Sequence, residues 1–365
     1  MKNKIFISFL VFNVLFTLIG FGEEEKSFDK KAKAVIQIWL WGGPSHLDTF
    51  DPKPNAGYDY TGPSQSIPTN VPGIEINELL PNLAKIADKY SIIRSITHGI
   101  TAHETASYIM QTGHSSEERV LYPSIGSAVT FFKGKEYKGI IPPYIVLTTS
   151  QGRFSEEGFL GQKYKPFVTG GDPNKIPFTV EGIVVEGISE ERNLRRIKLL
   201  NSLDTLDSIA PLEEFKSFNS CREEAYKIVD ECKKFFDLSK EPDDLKNMYG
   251  RNKFGQSCLM ARKLVENGVI YITINYPGWD THSNHFQQMR QKLPEFDQGL
   301  SALIKDLSER GLLENTIIWV SGEFGRTPKI SWEPPWNGGR GHYGNCFSVL
   351  VAGGGFKGGI VLGKS

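Results

Sequence analysis

Residues 34–41 read Ala-Val-Ile-Gln-Ile-Trp-Leu-Trp and stop at Gly42-Gly43. An almost unbroken apolar run of this length, closed by glycines, is what a strand covered on both faces of a parallel sheet requires. Similar short apolar runs return at Ser91–Thr97, Pro143–Thr149, Val269–Tyr276, Thr316–Ser321 and Ser348–Ala352. Helical patterns lie between them. Asn77–Tyr90 places Leu79, Leu80, Leu83, Ile86 and Ala87 on one face, Thr101–Thr112 ends at a capping Gly113, and a long helix is predicted over His285–Arg310. Strands alternating with helices predict an α/β fold, a mainly parallel sheet with helices on both faces. The Gly- and Pro-rich segment Gln151–Gly187 reads as irregular surface. Residues 189–268 read as a mostly helical insertion.

Ahead of the first strand, Met-Lys-Asn-Lys precedes an apolar run from Ile5 to Phe21 and then Gly-Glu-Glu-Glu. A basic start, an apolar stretch and small residues at Gly20 and Gly22 predict a signal peptide over residues 1–22, cleaved near Gly22, with export to the periplasm or outside the cell. Residues 23–365 then form the working domain, with no membrane contact after cleavage. Lys plus Arg and Asp plus Glu both total 42, so no basic block points to nucleic acid. Cys221 and Cys232 are eleven residues apart on a predicted helix, about 16 Å of rise, beyond the roughly 7 Å a disulfide tolerates. The tail from Gly353 to Ser365 is Gly-rich and shows no closing helix, which reads as a truncated C-terminus.

Ligands in parallel sheets bind beyond the carboxyl ends of the strands, and the chemically capable residues lie there. The seven histidines are His46, His98, His103, His114, His282, His285 and His342. His46 follows the first strand in Gly-Gly-Pro-Ser-His-Leu-Asp-Thr-Phe-Asp, beside Ser45, Asp48 and Asp51. Asp280, His282 and His285 stand in Gly-Trp-Asp-Thr-His-Ser-Asn-His. Glu323 and Arg326 stand in Ser-Gly-Glu-Phe-Gly-Arg-Thr-Pro, and His342 in Gly-Arg-Gly-His-Tyr-Gly. One histidine alone would be read as a capping or hydrogen-bonding group. Four loops that a parallel sheet can gather at one rim read instead as a shared site, with His46, Asp48, His103, Asp280, His282, His285, Glu323 and His342 as candidate ligands. Imidazole with carboxylate suits Zn or Mn, and carboxylate alone suits Ca or Mg.

Two resemblances sharpen this reading. Leu80-Pro81-Asn82-Leu83 through Arg94-Ser95 to Met110-Gln111-Thr112-Gly113 resembles the sulfatase pattern, and places His103 where sulfatases carry their modified cysteine or serine. Glu323 resembles the acid of the superfamily's Asp-His metal pair, Asp280 with His282 or His285 resembles its ligands to the other metal, and His342 resembles the late histidine. The phrases around His46, Asp280, Glu323 and His342, in that order, resemble the bacterial family called domain of unknown function 1501. The resemblance implies an alkaline-phosphatase-like fold. The chain departs from sulfatases and phosphatases in two places: Trp41-Gly42-Gly43 stands where they carry a metal-binding Asp, with Ser45, His46, Asp48 or Asp51 a few residues later, and the nucleophile position holds His103, with Thr105 and Ser107 nearby and no Cys-x-Pro-x-Arg motif for formylglycine chemistry.

The activity so implied is a metal-dependent hydrolase of phosphate or sulfate esters, acting on a small anionic ester or a sulfated or phosphorylated polymer. The metal polarises the ester and acidifies water bound to it, His103 acts as nucleophile, base or ligand, and Arg326 clamps an anionic oxygen. Ser45 is the substitute nucleophile. Arg340 is the substitute clamp if Arg326 instead pairs with Glu323. A different class also fits: a non-catalytic metal-binding protein that holds an envelope or extracellular polymer. A mutase or phosphotransferase is a third reading.

Overall fold

The computed structural model describes residues 32–116, 119–150, 156–181, 190–203 and 232–365. The expected signal peptide and Cys221 lie outside these residues.

Eight strands form the main sheet: β1 (Ala34–Trp39), β2 (Tyr90–Ile96), β3 (Tyr144–Leu147), β4 (Phe167–Val168), β5 (Tyr271–Asn275), β6 (Thr316–Ser321), β7 (Phe347–Ala352) and β8 (Ile360–Leu362). Their spatial order is β8-β2-β7-β6-β1-β5-β3-β4. The apolar run at 34–41 therefore sits well inside the sheet, with parallel neighbours on both sides: Val35 faces Tyr271 on β5 and Ile317 on β6. Among the described strands of this sheet β7 alone runs antiparallel, between β2 and β6. The fold is thus a mixed, mostly parallel sheet, as the alternation of elements predicted.

Helices cover both faces. The longer helices among the described residues are α1 (His103–Thr112), α2 (Ile125–Lys133), α3 (Glu190–Leu203), α4 (Asp243–Tyr249), α5 (Lys253–Glu266) and α6 (His285–Glu309), of which α1, α2, α5 and α6 pack on the sheet. Ile36 and Ile38 of β1 face a core shared with Leu259 and Leu264 of α5 and Leu300, Leu303 and Ile304 of α6. Each such side chain, fully removed from water, contributes about 1.5–3 kcal/mol. On the opposite face Val35 packs with Tyr144, Tyr271 and Ile125 of α2, and Gln37 donates to Gln111 of α1 at 2.9 Å. No helix among the described residues is long and apolar enough to cross a membrane.

The helix expected over Asn77–Tyr90 is instead one turn, Pro81–Ala84, followed by a 3-10 turn at Ala87–Lys89. The cause is tertiary. The buried Asp297 of α6 accepts the N–H groups of Asn82 (2.9 Å) and Leu83 (2.8 Å), fixing the turn end-on to α6. Leu80, Leu83, Ala84 and Ala87 still reach the core. In the 189–268 stretch α3, α4 and α5 are helical, and residues 204–231 lie outside the described set. The irregular reading of 151–187 omits the edge strand β4. Cys232 is buried, Cys258 is a buried free thiol, and Ile360–Leu362 extends the sheet beside β2.

Candidate metal centre

Strands β1, β2, β5 and β6 point the same way, so the loops after them open on one edge of the sheet. Gly42 and Gly43 make their close approach possible. Gly42 has φ 114°, and a Cβ there would fall 2.2 Å from the Asp280 backbone nitrogen. Only glycine tolerates both demands. Its N–H donates to Glu323 Oε1 at 2.9 Å, tying the β1 loop to the β6 loop.

His103, the first residue of α1, hangs over this edge. Its Nδ1–H donates to Glu323 Oε1 at 2.6 Å, which leaves the Nε2 lone pair directed at Asp280 Oδ2, 3.2 Å away. His342 is arranged the same way. Its Nδ1–H donates to the Thr101 carbonyl at 2.7 Å, and its Nε2 lies 3.1 Å from Asp280 Oδ1. His282 adds a third imidazole, with Nε2 3.0 Å from Asp280 Oδ1 and 2.8 Å from His342 Nε2. Nitrogen lone pairs thus converge on a carboxylate, acceptor against acceptor, an arrangement that is stable only with a proton or a cation between them.

A cation fits the donor set. Ligand atoms of His103, Asp280 and His342 all lie within 4.8 Å of one another. A tetrahedral shell with bonds of about 2.1 Å has ligand–ligand edges of about 3.4 Å, close to the 2.8–3.2 Å separations just described. Carboxylate and backbone carbonyl partners on the far ring nitrogens are the usual way a protein fixes the tautomer of a metal-binding histidine. The electrostatics suit a cation at Asp280 and His282 and a proton at His103. Burial pushes the Asp280 carboxyl up, but the hydrogen bond and charge of Arg326, with His342, outweigh it and hold the group at about 2. The Glu323 hydrogen bond raises His103 above its ordinary value against the pull of burial, while burial lowers His282.

Glu323 is fully buried behind His103, and its Oε2 has no hydrogen-bond partner among the described residues. His98 braces its main chain: Nε2–H donates to the Glu323 carbonyl at 2.7 Å, and Nδ1 accepts from Ile100 N–H. Arg326 is fully buried too. Its Nη2 reaches Asp280 Oδ1 at 2.5 Å and the Gly42 carbonyl, Nε donates to the Gly43 carbonyl at 3.0 Å, and Nη1 to the Arg340 carbonyl at 3.1 Å. Expected as an anion clamp paired, if anything, with Glu323, it is fastened to Asp280 and three carbonyls.

Asp48 and His285 belong to a different cluster. Asp48 is buried; its Oδ2 is bonded to His285 Nε2 at 2.9 Å and lies 2.7 Å from Arg340 Nε as an ion pair. Arg340 Nη2 also donates to the Tyr60 carbonyl at 2.6 Å, and His285 Nδ1 lies 2.6 Å from Thr281 Oγ1. Burial would raise the Asp48 carboxyl, but His285 and Arg340 together hold it well below the carboxylate range. Ser45 is buried, with Oγ accepting from Asp48 N–H at 3.3 Å. His46 is buried as a neutral ring, lowered by desolvation to about 4, and its Nδ1 has no partner among the described residues. The eight candidate ligands therefore divide. His103, Asp280, His282 and His342 meet, Glu323 stands behind His103, and His46, Asp48 and His285 sit with Ser45 and Arg340 around a buried ion pair. Sequence reasoning missed His98 as a brace and the Thr101 carbonyl as an orienting group.

A family model described as a protein of unknown function (DUF1501) matches residues 32–365. No curated protein sequence matches. Among solved structures, the chain is similar to the lipoteichoic acid synthase LtaP from Listeria monocytogenes, at 9% identity and TM-score 0.38, over 91% of this chain and 68% of that one. It is similar to the alkaline phosphatase from the Antarctic bacterium TAB5, at 10% identity and TM-score 0.38, over 91% and 95%. It is also similar to the PsFucS1 sulfatase from Pseudoalteromonas sp., at 13% identity and TM-score 0.37, over 91% and 64%.

Proposed function

The chain belongs to the DUF1501 family of proteins of unknown function, and we propose that this member is an exported, metal-dependent hydrolase of phosphate or sulfate esters. The observation that carries the proposal is the pair of imidazoles, His103 and His342, whose Nδ1–H groups are committed elsewhere while their Nε2 atoms aim at Asp280. Those three residues would hold a divalent cation, Zn or Mn by donor type, with His282 as a fourth ligand. Bound there, the cation would polarise an anionic ester and stabilise the charge that develops on it.

The chain's own groups do the rest. Glu323 holds the tautomer of His103, and Arg326 anchors Asp280 and keeps it ionised. No side chain caps α1 at Ala102, so the helix end favours an anionic group beside His103. Both ring nitrogens of His103 face carboxylates, which supports a ligand role over a nucleophilic one. Ser45, buried beside Asp48, is poorly placed to replace it.

Turnover of a panel of phosphate and sulfate monoesters by the purified protein, before and after chelation, tests the reading. Hydrolysis abolished by chelator and restored by Zn or Mn is the expected result. A second reading, a non-catalytic metal protein that binds an extracellular polymer, is favoured because, among the described residues, the side chains paired with Asp280 are His103, His282, His342 and Arg326, with no hydroxyl or thiol. Bound metal without turnover of any ester would select it.

A further inference from the structure

One side of the metal cluster is formed by the loop Ser331–Gly339, Ser-Trp-Glu-Pro-Pro-Trp-Asn-Gly-Gly. The loop is built onto the Asp280–Asn284 segment. Its ends bridge between Ser331 and Gly339, Asn284 N–H donates to the Trp336 carbonyl at 3.0 Å, and a Cβ on Gly339 would lie 1.7 Å from the His282 carbonyl oxygen. Trp332 is pinned by stacking on buried Phe286 at 5.8 Å and 15°, and on Tyr58 at 5.1 Å and 9°. The loop is thereby fixed, and it holds Trp336 against the metal-side imidazole of His282, with centroids 6.3 Å apart. Trp336 nonetheless remains 41% exposed.

An indole held rigidly in water beside a polar site is an expensive feature unless something covers it, and a fixed aromatic face costs little further ordering when it binds. The surroundings narrow the choice of occupant. The loop carries Glu333 and no Lys or Arg, so the indole has no loop cation beside it to pair with a nucleic-acid backbone or an anionic membrane surface. An alkyl chain would need a continuous apolar trough, but the residues joined to Trp336 through the backbone, Asn284 and Glu333, and its chain neighbour Asn337 are polar and exposed. A sugar ring matches both features: its C–H face packs on an aromatic ring, and its hydroxyls meet a polar fringe.

We infer that Trp336 is a saccharide-stacking residue and that the esters presented to Asp280 are borne on sugar rings. The ester half of this inference rests on the hydrolase reading; the sugar half does not. The test is therefore a binding measurement that needs no catalysis. Neutral tetrasaccharides of glucose, galactose and xylose are titrated into the full chain by calorimetry, with indole fluorescence followed in parallel. Saturable binding of at least one, weakened at least about tenfold in Trp336→Ala and largely kept in Trp336→Phe, is expected. No binding of any tetrasaccharide, or binding unchanged in Trp336→Ala, overturns the inference even if simple esters are hydrolysed. Sugar binding without hydrolysis of any ester would leave the platform standing and remove the catalytic reading.

Discussion

Replacing Asp48 by Asn separates a structural ion pair from a ligand. In the folded protein the Asp48 carboxylate is buried, bonds His285 Nε2 and, at 3.3 Å, Arg340 Nη2, and lies in ion-pair contact with the Arg340 guanidinium. The amide keeps the shape but removes the charge and turns an NH2 toward groups that are themselves donors. Arg340, fully buried, is left without its counter-ion, and breaking a buried pair in this way costs about 3–5 kcal/mol. For a chain of this size, at about 2 °C per kcal/mol, the midpoint of thermal unfolding should fall by about 6–10 °C. Circular-dichroism melts of wild type and variant, each with and without EDTA, are the assay, alongside metal content by mass spectrometry. The gap should persist in EDTA, and the metal content should match wild type. The folded Asp48 carboxyl lies below its ordinary value, so its contribution is present above about pH 4 and is lost as the pH falls through the folded value; the gap should narrow on strong acidification. An unchanged melting point with metal lost, or a gap that vanishes in EDTA, would refute the structural assignment and return Asp48 to the ligand set.

Two further outcomes follow from named contacts. His46 is held at about 4 by burial against 6.5 in the unfolded chain, so the unfolded state binds the proton first. Stability should therefore decline by roughly 3 kcal/mol as the pH falls from 6.5 to 4, and His46→Leu should flatten that slope in urea titrations at pH 7 and pH 5. An identical slope in the variant would show that His46 is protonated in the fold. Gly339→Ala should force the loop away from the His282 carbonyl and weaken metal retention about tenfold in a chelator competition, an effect that wild-type retention would contradict.

The strands were legible because burial on both faces selects short, mostly apolar runs: Ala34–Trp39 and Thr316–Ser321 stand out by composition, with Gln37 the buried polar exception inside β1. The turn at Pro81–Ala84 was not, since its apolar spacing also suits a helix and what shortens it is Asp297, 215 residues away. The rim of the site was legible through the rule that ligands gather at strand ends, which put His103, Asp280, His282, Glu323 and His342 on neighbouring loops. Spacing could not separate Asp48 and His285 from that group, because their partner Arg340 is 292 residues from Asp48. Nor could it distinguish a group that faces Asp280 from one behind it, as at Glu323, where the ring of His103 intervenes. The Gly42-Gly43 and Gly338-Gly339 pairs were the available signals for close loop contacts, and both mark where a loop meets the segment from Asp280 to Asn284 or its neighbour Phe324.

Metal content tests the central claim most directly. The full chain, purified without chelator and equilibrated with Zn or Mn before desalting, should retain at least one equivalent by plasma mass spectrometry. His342→Ala, which removes one ring from the cluster while leaving Asp280 paired with Arg326, should keep the wild-type circular-dichroism spectrum and lose the metal. Metal-free wild type after this treatment, or undiminished metal in a folded His342→Ala, would contradict the account.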